Sequence, residues 1–201
     1  MAAVQGSAAR LVEIALAEVG TIEGPKDNET KYGKWTGANF LPWCQSFVSW
    51  CAFQSGVVKF PKSASTVAAS DQFKKEKRWS DARNDDPTPG DWIYFDFPDD
   101  GVNRISHVGI CIKNNGDGTI QTIEGNTAGS AKGDQRNGGM CAEKTRAYVK
   151  DNKKNLLNTI VGWGRPVYKG EEDAPLNVIL EKPVAVKKAT PAPAKKVVKK
   201  K

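Results

Sequence analysis

The sequence predicts an α+β fold, with N-terminal helices packed on an antiparallel sheet of about five to six strands and a disordered C-terminal tail. Three observations carry this reading. Up to residue 77, apolar residues recur at the helical period. From residue 91 the period shortens to two, in short runs separated by Gly, Asn, Asp and Pro. Beyond residue 170 the chain turns to Lys, Ala, Pro and Val, with too little apolar surface to fold alone. Helices first and strands second place the helices on one face of the sheet.

The elements follow in order. Residues 7–20, SAARLVEIALAEVG, read as an amphipathic helix. Ser7 is a suitable N-cap, Leu11, Ile14, Ala15 and Val19 share a face, and Gly20 is a stop. A polar loop spans 21–42. A second helix over 43–56, WCQSFVSWCAFQSG, sets Cys44, Phe47, Val48 and Cys51 on one face and stops at Gly56. Residues 63–77 give a third helix. Five strands then read from DWIYFDF (91–97), SHVGICIK (106–113), TIQTIEGN (119–126), MCAEKTRAY (140–148) and VGWGRPVY (161–168). The expected organisation is one catalytic domain over 1–170 and a flexible basic tail over 171–201. No internal repeat is found.

The net charge of +7 is unevenly placed. Residues 182–201 hold eight lysines and no acids, so the remainder sums to −1 by subtraction (+7 minus +8). No run reaches the ~18 apolar residues of a membrane span. The N-terminus lacks the basic start and apolar run of a signal peptide. The four cysteines, at 44, 51, 111 and 141, form no CxxC pair, and one histidine is too few for the usual zinc sets. No metal is predicted.

A cysteine on an apolar helical face is ordinarily a small core residue, and Cys51, Cys111 and Cys141 are read so. Cys44 differs by position. It opens its helix just after Pro42, where unpaired N–H groups and the positive end of the helix dipole favour thiolate, the reactive form of the side chain. A thiolate nucleophile needs an imidazole as base and later acid. His107 is the single histidine, and it stands at the start of a strand. The ring in turn needs an orienting partner. On the next strand, Glu124 and Asn126 are two apart and share a face, and Glu124 lies between Ile123 and Gly125.

These pieces resemble the CHAP domain, the cysteine, histidine-dependent amidohydrolases/peptidases of phage endolysins and bacterial wall hydrolases. The resemblance rests on PWCQSFVSWCAFQSG, PTPGDWIYFDF, SHVGICI and TIEGNT in that order, with LVEIALAEVG and IVGWGRPVY at the ends, and it covers about residues 8–168. It implies a papain-like fold and cleavage of an amide bond of peptidoglycan. It implies Cys44 as nucleophile, His107 as base, Glu124 as its orienting group and Asn126 as a fourth polar member. Trp43, Gln45 and Trp92, with Tyr94, are candidates to line a groove for glycopeptide, although Trp92 and Tyr94 read equally well as core aromatics. Some members hold calcium in an acidic loop before the nucleophile. Here Asp27, Asn28 and Glu29 lack the alternating carboxylates of a calcium loop, and calcium is not predicted.

Two alternatives stand beside this reading. An NlpC/P60-type peptidase also opens a helix with Cys, though the EGNT after the histidine strand favours CHAP. A non-enzymatic wall- or nucleic-acid-binding protein would use the basic tail and leave Cys44, His107 and Glu124 unexplained. The expected partners are peptidoglycan and, through the tail, anionic wall polymers, with no obligate protein partner. The expected site of synthesis is a host cytoplasm, with action on the wall after the membrane is permeabilised.

Overall fold

A computed structural model describes residues 2–82, 84–97, 100–130, 132–148 and 159–171. The expected tail, apart from residue 171, lies outside the described residues. Helices α1 (Ala8–Ala17), α2 (Lys31–Thr36), α3 (Cys44–Ser55) and α4 (Thr66–Lys75) precede strands β1 (Trp79–Asp81), β2 (Trp92–Phe95), β3 (His107–Asn114), β4 (Thr119–Thr127), β5 (Met140–Ala147) and β6 (Ile160–Gly164). The strands form one antiparallel sheet in the order β1-β6-β2-β3-β4-β5. The α+β architecture and its strand number are those the sequence predicts.

Local chemistry explains most boundaries. Ser7 caps α1, its hydroxyl accepting from the Arg10 N–H at 3.1 Å. Gly56 closes α3 in the left-handed conformation. Helix α1 stops at Ala17, ahead of Gly20. Leu11 and Ala15 face the core, while Val19 lies past the helix end and is 40% exposed. Two elements depart from the sequence reading. The polar loop contains α2, whose cap Thr30 accepts from the Gly33 N–H at 2.9 Å. Strand β1 pairs with β6 at the sheet edge.

Alternation along the strands sorts the core by face. Trp92, Tyr94, Val108, Ile110 and Ile123 pack with the helices, against Leu11, Phe47, Val48, Cys51 and Phe73. Ile93, Phe95, Cys111, Ile120 and Trp163 form a second cluster on the opposite face. Helix α3 is the central helix, in contact with α1, α2, α4, β3 and β4. It is buried nearly all round, well beyond the single face the sequence suggests. Its polar side chains are therefore paired: Ser46 with Thr36 at 2.8 Å, and Ser49 donating to the Pro61 carbonyl at 2.9 Å. Among the described residues, no helix is long and apolar enough to cross a membrane.

Candidate active site

Cys44 is the first residue of α3 and is 3% exposed. The preceding residue, Trp43, occupies the cap position and makes no side-chain cap bond. The first-turn N–H groups of a 12-residue helix thus lack the usual capping acceptor beside the thiol. Trp43 is fixed instead by stacking on Tyr32, with ring centres 5.2 Å apart, and by donating its indole N–H to Glu23 at 3.0 Å. The helix start can approach β4 because residue 125 is glycine. A Cβ there would lie 2.6 Å from Phe47 Cβ and 2.8 Å from the Trp43 ring.

His107 and Glu124 come together through the β3–β4 register. Glu124 lies opposite Gly109, two residues along from His107 on the same face. Gly109 leaves the space that the carboxylate uses, since a Cβ there would stand 2.6 Å from Glu124 Cγ. His107 Nε2 and Glu124 Oε2 are 3.0 Å apart, and both side chains are fully buried. Nδ1, the other ring nitrogen, is buried without a hydrogen-bond partner among the described residues. With Nε2 committed to Glu124, Nδ1 is the ring nitrogen left for another group. Burial opposes the charged imidazole, but contact with Cys44, and then with Glu124, outweighs it and raises the His107 pKa from 6.5 to about 9. Glu124 moves the other way. Burial would raise its pKa, but Arg146 and then His107 hold the carboxyl well below the usual range. The remaining cysteines are different: burial pushes the thiols of Cys51, Cys111 and Cys141 upward, away from thiolate.

Arg146 of β5 was not singled out by the sequence. Its Nε donates to Glu124 Oε1 at 2.8 Å and its Nη2 to Oε2 at 2.5 Å. Thr122 adds a third donor, its hydroxyl 2.6 Å from Oε1. An arginine inside an otherwise strand-like run, MCAEKTRAY, was the available signal, but which carboxylate it meets depends on the pairing of β5 with β4.

The other candidates lie as follows. Asn126 is buried, and its side chain bonds away from the ring. Nδ2 donates to Asn28 Oδ1 at 3.0 Å and Asn137 Oδ1 at 2.9 Å, and Oδ1 accepts from the Gly139 N–H at 3.2 Å. Asn28 and Asn126 both adopt left-handed backbone, at φ +57° and +59°, a conformation asparagine tolerates. Asn126 thereby ties the strand end that bears Glu124 to the loops at 28 and 137–139. Trp43, Gln45 and Trp92 are each 0% exposed. Gln45 donates to Ser49 at 3.2 Å and accepts from the Tyr94 hydroxyl at 3.4 Å. Trp92 packs between Phe60 and Phe73. In the candidate calcium loop, Asp27 accepts from Asn28 and Glu29 pairs with Lys34, each at 3.0 Å. Among the described residues, no cluster of three His, Cys, Asp or Glu side chains is arranged to hold a metal ion.

A family model, the CHAP domain, matches residues 35–126, a span that runs from α2 to the end of β4 and includes Cys44, His107, Glu124 and Asn126 but not Arg146. A search of curated proteins finds no match.

Proposed function

We propose, from the match of residues 35–126 to the CHAP domain, a class of hydrolases typically acting on peptidoglycan, that this chain cleaves an amide bond of the bacterial wall through a thioester on Cys44. The observation that carries the proposal is the placement of a thiol at a helix start without a side-chain cap, close enough to act on an imidazole that is itself held by a buried carboxylate.

The steps follow from that geometry. The Cys44 sulfur attacks the amide carbonyl carbon, forming a C–S bond and moving an electron pair onto the carbonyl oxygen. N–H groups of the first turn of α3, which has no side-chain cap, are the donors proposed for the developing oxyanion, each such donor contributing ~3 kcal/mol. As the intermediate collapses, the C–N bond breaks and His107, as imidazolium, gives its proton to the leaving amine. The neutral ring then takes a proton from water, whose oxygen attacks the thioester. Collapse releases a carboxylic acid and restores the thiolate–imidazolium pair. Glu124 stays anionic throughout, bound to the ring nitrogen that does not exchange protons with substrate.

The finer reading is an endolysin-type wall hydrolase, which lyses sensitive walls when supplied as purified protein. Turbidity of a suspension of purified walls tests the chemistry. The wild type should clear it, and Cys44→Ala should lose on the order of 10⁴-fold in rate while remaining folded. Cys51→Ala should lose stability first, because its thiol is core packing. Mass spectrometry of the released fragments then assigns the bond, either the amide at muramic acid or a peptide bond of the stem or cross-bridge. Clearing by a well-folded Cys44→Ala variant at the wild-type rate would remove Cys44 from the mechanism.

A further inference from the structure

We propose that Arg146 is the positioning residue of this site: by forking both oxygens of Glu124 it keeps that carboxylate anionic and turned toward His107, and so sets the pH range over which the Cys44–His107 pair is charged. The inference rests on the Cys44–His107 reading above and adds a residue outside the span matched by the family model.

The geometry is that of a saturated carboxylate. An ionised carboxylate has about four acceptor positions. In Glu124, Oε1 takes the Thr122 hydroxyl and Arg146 Nε, and Oε2 takes Arg146 Nη2 and His107 Nε2. Rotation about the last side-chain bond would break both arms of the fork, so the oxygen facing the imidazole is fixed in place. Arginine is itself held. Its guanidinium lies 5.5 Å from the Phe95 ring centre and 5.3 Å from that of Phe97. The same two rings flank His107, at 5.8 and 5.5 Å. Arg146, Glu124 and His107 therefore share one aromatic platform, with the anion between the two cations.

The charges also balance. Thiolate and imidazolium cancel, which leaves Glu124 as a buried anion. Arg146 is only 14% exposed and supplies the compensating charge from inside the protein. Among the described residues, the other charged groups acting on this array are Lys144 of β5, which adds positive charge near Glu124, and Asp134 of the loop after β4, which interacts with His107. Neither forks the carboxylate. Loss of the Arg146 charge makes every protonated form of the array easier to reach.

Alkylation of Cys44 by iodoacetamide reads this without any wall substrate. The full chain is treated between pH 4 and 9, and the rate is followed by mass spectrometry of the Cys44 peptide, with near-UV circular dichroism as the check on folding. In the wild type the reaction should persist well below pH 8, the mark of an ion-paired thiolate. In Arg146→Gln its acid limb should move up by about one pH unit. In Arg146→Lys, which keeps the charge and loses the fork, the limb should stay in place while wall-clearing turnover falls by about tenfold. A folded Arg146→Gln variant whose limb superposes on the wild type overturns the proposal. If Arg146→Gln does not fold, Arg146→Lys decides: unchanged turnover overturns the proposal, and a loss with the limb in place supports it. A wild type in which Cys44 reacts as an ordinary thiol would overturn the Cys44–His107 pair and this inference together, whereas failure of the Arg146 variants alone leaves the pair standing.

Discussion

His107 concentrates the opposing forces of the site in one ring. It is fully buried, which favours the neutral form, yet it touches a thiol on one side and a carboxylate on the other. The partners prevail, and the ring stays charged up to about pH 9. The stability linked to this has a definite sign. It is fully present below the unfolded pKa of 6.5 and is lost as pH rises through about 9, because the native state holds a proton that the unfolded chain has released. His107 is the sole histidine, so its imidazole C–H resonances can be followed by NMR without assignment ambiguity. The midpoint should lie well above 6.5. Cys44→Ala and Glu124→Gln should each lower it, since each removes a group that favours the cation and leaves burial unopposed. Glu124→Gln should remain folded with reduced turnover, whereas His107→Ala should be nearly inactive, because in the proposed mechanism the carboxylate orients and the imidazole moves the proton. A wild-type midpoint at or below 6.5 contradicts this account of the pair.

At the scale of elements, the site depends on how closely α3 lies on β4. Gly125 sets that distance, being the one residue between Glu124 and Asn126 and directly beneath Phe47 and Trp43. Gly125→Ala should force the start of α3 away from the strand. Overpacking of this kind costs about 1–3 kcal/mol, and here it should also separate Cys44 from His107. Thermal unfolding should show the first effect. The second should appear as a loss of turnover larger than that of a comparable substitution at exposed Phe53, which lies on the same helix away from this contact. Full wall-clearing activity in Gly125→Ala would show that the close approach is not needed. The sequence foretold this packing only in part. Caps such as Ser7 and stops such as Gly56 are local signals and could be read directly. Helix α2 could not, since only Tyr32 and Gly33 of its six residues are buried and no apolar period marks it. Strand β1 is three residues long and is defined by partners from Gly162 to Gly164, far along the chain. The same distinction applies to the site. A helix-start cysteine, a lone histidine and a carboxylate framed by Ile and Gly stand out in the chain. The fork of Arg146 exists only through the β4–β5 register, which is irregular between Glu124 and Thr127.

Along the whole molecule the charge is unevenly placed, with a basic excess in residues 182–201. The Glu171 carboxylate accepts from Arg165 Nη2 at 2.9 Å and from Nε at 3.3 Å. Arg165 in turn donates to the buried Asp91 at 3.0 Å. Glu171 is therefore part of the folded network, and a truncation that spares the domain ends after it, one residue beyond the boundary read from composition. The chain removed includes residues 182–201, with eight lysines, no acids, and Pro183, Pro191 and Pro193. Lysines at irregular spacing read charge rather than shape, which suits an anionic wall polymer such as a teichoic acid. Their attraction is screened over about 8 Å at physiological salt. The expected outcome is that the chain ending at Glu171 keeps its thermal stability and its turnover of small soluble wall fragments, but co-sediments less with intact walls at low salt. At high salt the two forms should bind alike, because screening removes the only contribution the tail makes. Equal co-sedimentation of both forms at low salt would mean that the basic segment serves solubility alone and that wall affinity resides in the folded domain.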